Sequence, residues 1–236
     1  MTFGHVLRGS FGHGFRFGAP VGVSAAVIVV AGCASAPRAD PAPPWVDLFE
    51  DGSLAGWTVF APGAGPQPTW TIADGIVSCT GSPAGYLATE GEYLDYELEL
   101  EWRFDPAKGP GNSGVLLRVQ RQDEVWPRSM EAQLQDRRAG DIWNIGDFPA
   151  RTAPERTSGR HTEREGECAE LPIGEWNRYR IIMAGTTMEL FVNGRRMNVA
   201  MEVAEWPGRI ALQSEGAFIQ FRNARIRPIR HRGESR

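Results

Sequence analysis

An all-β domain, a sandwich or barrel of short antiparallel strands, is the fold class this sequence predicts. Three observations carry it. The dominant hydrophobic period is two. Turn signals are frequent, with 28 Gly and 17 Pro among 236 residues. No ten-residue stretch shows helical periodicity, and that combination is the signature of packed or closed β-structure.

The amino terminus reads as an export signal. Arg8 and Arg16 supply positive charge before an apolar run from Val21 to Ala31. Such a run, ~11 residues, is too short to span a bilayer and right for the core of a signal peptide. It ends Val30-Ala31-Gly32-Cys33, which resembles the lipobox of bacterial lipoproteins. That resemblance implies cleavage before Cys33, a signal peptide over 1–32, and a diacylglyceryl group on the Cys33 thiol, with membrane anchoring. Two or more acyl chains make such an anchor stable. The alternative is an ordinary cleaved signal with a chance cysteine. Ala34 follows, where Asp would suggest inner-membrane retention, so the expected address is the outer membrane facing the periplasm, or the cell surface. Residues 33–45 are rich in Ala and Pro and form a tether, 46–230 the folded domain, and 231–236 a polar tail.

Within the domain, Tyr96 to Phe104 alternates strictly. Tyr96, Leu98, Leu100, Trp102 and Phe104 share one face, and Glu97, Glu99, Glu101 and Arg103 the other. Ile181–Met183 and Met188–Val192 pair around Gly185, and Asn193-Gly194 predicts a tight turn into a strand over Arg195–Val199. Ile210–Gln213 and Ala217–Arg222 flank a turn at Glu215-Gly216, and a separate segment from Ala224 to Ile229 closes the domain. Gly146 to Pro172 is polar and rich in turn residues; the expectation is a long surface loop. Cys79 and Cys168 have the compartment for a disulfide, but spacing alone does not bring their Cα atoms within bridging distance, and two separate thiols are the alternative.

Formal net charge is −4, and no basic face stands out, which excludes a nucleic-acid binder. The outward strand positions carry planar hydrogen-bonding groups. Val115, Leu117 and Val119 share a face, with Leu116 and Arg118 opposite. Glu131, Gln133 and Gln135 fall together; Ile210 and Leu212 point inward with Gln213 and Glu215 outward; Phe221 points inward and Arg222 outward. Paired donors and acceptors of this kind suit sugar hydroxyls. An ordinary solvated sheet face is the alternative.

These segments resemble the 3-keto-disaccharide hydrolase domain family from about Val46 to Ile229. Leu48-Phe-Glu-Asp-Gly-Ser-Leu-Ala-Gly-Trp57 is similar to its entry motif, Asn112-Ser-Gly-Val-Leu-Leu-Arg118 to its NSG strand, and Ser129-Met-Glu-Ala-Gln133 to its E-x-Q strand. Gly140-Asp-Ile-Trp143, Gly174-Glu-Trp-Asn177, Val192-Asn-Gly194, Leu212-Gln-Ser-Glu-Gly216 and Phe221-Arg-Asn223 follow in order. Two positions depart: Glu215 stands where many members carry His, and Glu50-Asp51 where Asn is commoner. The resemblance implies a concanavalin A-like jelly roll, a two-sheet sandwich acting on glycosides oxidised at C3.

A 3-keto group acidifies the C2 proton. The chemistry then needs a base at C2, a donor for the enolate oxygen and an acid for the leaving group. Four histidines in the chain are too few and too scattered for a multi-His zinc site, since His5 and His13 leave with the signal and His231 is in the tail. His161 sits in the polar loop, so a Ser-His-Asp triad requires that it fold inward. Carboxylates remain: Glu131 as base, Glu215 and Asp141 as acids, with Gln133 and Gln213 binding substrate, Arg118 and Arg222 facing the enolate, and Trp143 stacking on the ring. Asn112 and Ser113 read first as turn chemistry, and Trp176 and Asn177 as a strand start. No cofactor is implied with certainty; by fold analogy a divalent cation such as calcium could sit near Glu50 and Asp51. The partner expected is an oxidised carbohydrate. A non-catalytic carbohydrate-binding module and an envelope structural protein are the competing classes; polar outward strands weigh against the latter, and the lack of an accompanying catalytic domain weighs mildly against the former.

Overall fold

The structure, a computed structural model, describes residues 42–67, 69–120 and 123–230 together with Gly14. The rest of the signal peptide, Cys33 and the tail lie outside them, as does the tether up to residue 41. Sixteen strands build the domain: β1 (Val46–Asp47), β2 (Trp57–Phe60), β3 (Trp70–Ala73), β4 (Ile76–Cys79), β5 (Gly85–Thr89), β6 (Tyr96–Phe104), β7 (Gly114–Val119) and β8 (Ser129–Gln133) come first. They are followed by β9 (Ile142–Ile145), β10 (Thr157–Ser158), β11 (His161–Thr162), β12 (Asn177–Ala184), β13 (Thr187–Val192), β14 (Arg195–Ala200), β15 (Arg209–Ser214) and β16 (Ile219–Pro228).

Every pairing is antiparallel, in two sheets of eight strands. The first runs β14-β13-β12-β6-β16-β4-β3, with β1 beside β16; the second runs β10-β11-β9-β8-β7-β15-β5-β2. Alternation explains the packing. Tyr96, Leu98, Leu100, Trp102 and Phe104 of β6 enter the core, and so do Val115 and Leu117 of β7, Met130 and Ala132 of β8, and Ile210 and Leu212 of β15. Burying such apolar faces stabilises the sandwich by about 25 cal/mol per Å² removed from water. Asn193 and Gly194, both at positive φ, make the tight turn between β13 and β14.

Three details depart from the sequence reading. The last two segments are one strand, β16, whose register shifts between Arg222 and Arg225 around Asn223 at φ +52°. The loop expected from Gly146 to Pro172 contains a short 3-10 turn and the hairpin β10–β11, which adds to the edge of the second sheet through β9. Strand β7 carries a bulge: Val119 pairs with Arg209 but Leu116 with Ala211, and Arg118 takes φ +50°. One extra residue reverses the alternation beyond it. Val119 therefore joins Leu116 in an apolar cluster with Tyr86, Ala88, Ile145 and Ala211, apart from the main core. Cys79 and Cys168 are both free thiols.

Candidate active site

The second sheet turns a depression of ≈ 110 Å³ to the outside, away from the core. Its floor is Glu131 and Gln133 from β8 with Trp143 and Ile145 from β9, and Glu131 stands in register with Leu116 and Trp143. Asn112, Gln135, Trp126 and Arg160 complete the wall, and Glu215 enters from the β15–β16 turn. Trp126, 39 % exposed, stands at the mouth.

Glu131 is 5 % exposed, and its Oε1 has no hydrogen-bond partner. Room for it comes from Gly114 on β7. A Cβ there would lie 2.3 Å from Oε1 and 2.9 Å from the carboxyl carbon, so the glycine of Asn-Ser-Gly is required by the carboxylate across the strand. Burial, with a smaller contribution from the Glu215 charge, pushes the Glu131 carboxyl up to about 8, while Arg160 pulls the other way. Burial also raises Glu215, again opposed by Arg160. A guanidinium thus faces two carboxyls that desolvation holds toward their neutral forms.

Gln133 uses its carboxamide oxygen on the amides of Leu134 and Gln135, both at 2.8 Å, and so keeps its NH₂ for a ligand. Ser113 is structural, donating to the Gln213 carbonyl at 2.8 Å, whereas Asn112 lines the depression with a buried Oδ1 that has no partner. Trp176 is covered by Arg103 and Arg222, and Asn177 Oδ1 accepts from Leu171 and Asn193; both serve the fold, as expected.

Four expected site residues lie elsewhere. Arg118, fully buried, donates to the carbonyls of Leu94, Gly185, Val203 and Ala204, because the bulge turns it off the outer face. Arg222 points outward as its alternation requires, but from the first sheet, where it pairs with Glu101 at 2.6 Å. Gln213 is 1 % exposed beside Tyr86 and is not among the lining residues. Asp141 has no exposure and is held by His161 and Arg164, so it cannot touch a ligand directly.

The residues the sequence did not single out are Arg160 and Trp126, and Asn112, which reads in sequence as turn chemistry, is a lining residue. On the β10–β11 hairpin His161 turns inward and is partly buried, while Arg160 stays exposed at the wall of the depression. Arg160 sits 5.4 Å over the Trp143 ring, and His161 stacks on the same indole with centroids 4.6 Å apart. The only available signal was Arg-His amid turn residues, and nothing in it announces an edge hairpin. Among the described residues no cluster of three or more His, Cys, Asp or Glu is placed to hold a metal. No step below uses a metal.

The two-sheet sandwich is a jelly roll of the glucanase and galectin type. Its sequence matches the 3-keto-alpha-glucoside-1,2-lyase-like domain over residues 44–227, and the chain belongs to that family. Among solved structures, a proposed glycosyl hydrolase from Parabacteroides distasonis is 22 % identical with TM-score 0.57, over 79 % of this chain and 100 % of that one. A Bacillus licheniformis β-glucanase is 11 % identical with TM-score 0.54, over 81 % and 100 %. The carbohydrate binding module CBM66 from Bacillus subtilis is 11 % identical with TM-score 0.55, over 73 % and 95 %. At these identities the likeness is one of fold. No curated protein sequence matches significantly.

Proposed function

We propose that the protein cleaves glycosides oxidised at C3 of the sugar, by removing the C2 proton and expelling the C1 substituent. The observation that carries this reading is a desolvated Glu131, raised to about 8, beside an opposing guanidinium in a depression of ≈ 110 Å³ flanked by tryptophans. A base whose pKa lies near the working pH is well matched to taking a proton from carbon. Family membership supports the substrate class.

Glu131 takes the C2 proton, and the C–H electrons pass to the C3 oxygen as an enolate. Arg160 faces the developing negative charge, the part first assigned to Arg118 and Arg222. The enolate then collapses to the ketone, the C1–O bond breaks, and Glu215, whose carboxyl burial shifts toward the neutral form, gives its proton to the leaving oxygen. Water added at C1 of the enone, with a proton returned to C2, completes net hydrolysis. Trp143 and Trp126 pack against the sugar faces.

The test is a 3-keto-glucoside followed by chromatography with wild type and Glu131→Gln. Turnover by the wild type with loss in the variant supports the enzyme. Binding without turnover by the wild type means a carbohydrate-binding module instead, a reading favoured by the likeness to CBM66.

We further propose that lipidated Cys33 anchors the domain at the cell envelope, on the lipobox-like Val30–Cys33 run. Cys33→Ser should move the protein from the membrane to the soluble fraction; an unchanged distribution sinks the anchor.

A further inference from the structure

Strand β11 is two residues long, yet its His161 is held on two sides. Its Nε2 lies 2.8 Å from Asp141 Oδ2. Its ring stacks on Trp143, at 28° between planes, and the two residues are cross-strand partners. Asp141 is itself fixed: the Arg164 amide and Nη1 reach Oδ1 at 3.0 and 3.2 Å, and Arg138 approaches Oδ2 at 3.6 Å. A carboxylate with zero exposure costs several kcal/mol unless it is paired and hydrogen-bonded, and here it is. What this network holds in place is Trp143 and, one residue before His161, Arg160. Those are the aromatic floor and the cation of the depression.

We infer that the Asp141–His161 pair is a positioning unit for the proposed reaction: it fixes the Trp143 ring and sets the Arg160 guanidinium opposite Glu131 and Glu215. The inference rests on the preceding functional reading. Neither Asp141 nor His161 touches the substrate. Without the tether, β11 keeps its backbone pairing to β9 and β10 and the Thr162 hydroxyl bonds to Thr152 and Thr157, but the His161 side chain no longer ties it to Asp141. An Arg displaced by about 1 Å loses on the order of 10²-fold in rate.

The experiment compares His161→Phe, which keeps the stack on Trp143 but drops the bond to Asp141, with His161→Ala, which drops both. Each is made in the wild-type and the Arg160→Ala backgrounds, with a 3-keto-glucoside as substrate and melting temperature recorded. In the wild-type background His161→Phe should lower kcat by about tenfold or more with KM within about twofold, and His161→Ala should also raise KM. In the Arg160→Ala background the further kcat loss from His161→Phe should shrink to under about twofold, because the two act through one group. An equal kcat penalty in both backgrounds, or an unchanged kcat in His161→Phe, overturns the inference. Should the wild type show no turnover, the enzyme reading fails separately. Calorimetric affinity for the same 3-keto-glucoside then decides the positioning claim, which requires weaker binding by His161→Ala only when Trp143 is present.

Discussion

The outer faces of the two sheets are built from the same kinds of residue and use them in opposite ways. On the first sheet, Glu97, Glu99 and Glu101 of β6 lie between arginines of β12 and β16. Glu99 pairs with Arg178 and with Arg225 at 2.7 Å, Glu97 with Arg180 and Arg227, and Glu101 with Arg222. Trp45 lies against Arg225 and Arg227, at 4.7 and 4.5 Å. On the second sheet, Glu131 Oε1 and Asn112 Oδ1 are buried without partners. Burial raises Glu99 too, but hydrogen bonds from Arg225 and Arg178 outweigh it and the carboxyl ends up lowered. Glu131 has no such bonds and stays raised. Saturated polar groups hold a fold together; unsatisfied ones in a depression are held for something else.

The comparison can be broken by mutation. Glu131→Gln should have the largest effect, about 10²–10⁴-fold in kcat with the fold intact, as expected for loss of a general base. Gly114→Ala comes next. Its Cβ would lie 2.3 Å from Glu131 Oε1, and moving the carboxyl should cost about 10²-fold in kcat/KM. A variant with wild-type kinetics would mean that the carboxyl position is unimportant. Third, the kcat/KM profile should rise about tenfold per pH unit below about 8 and level off above, as Glu131 becomes a base. A falling profile over the same range would make Glu131 the acid.

Stability should separate the sheets by sign. The folded state keeps a proton on Glu131 that the unfolded chain has already lost above its ordinary range, so stability falls as pH rises toward about 8; Glu131→Gln should flatten that limb. Glu99 is lowered, so its contribution is present above the ordinary carboxylate range and is lost as pH falls through its depressed value. The smallest effect belongs to Arg225→Ala. Arg225 is 45 % exposed, so its loss should cost no more than about 1 kcal/mol in denaturant unfolding and leave turnover unchanged.

Period two made the strands legible, and with them the inward set of β6 and the outward grouping of Glu131 with Gln133. It could say that Arg222 faces outward but not from which sheet, because β16 pairs with β6 across more than a hundred residues of sequence. Arg118 was misread because a bulge changes parity without any sequence mark; its positive φ is unusual for a non-glycine residue. Arg160 and His161 were hidden because a two-residue strand has no periodicity to read, and its place is fixed by pairing with β9.

By capping β9, the β10–β11 hairpin leaves the two-residue β10 as the border on that side of the second sheet, opposite β2, which blunts a template for pairing with another molecule. A deletion that trims this segment would strip the guanidinium from the depression and bare the β9 border in one step, so solubility and chemistry here are lost together.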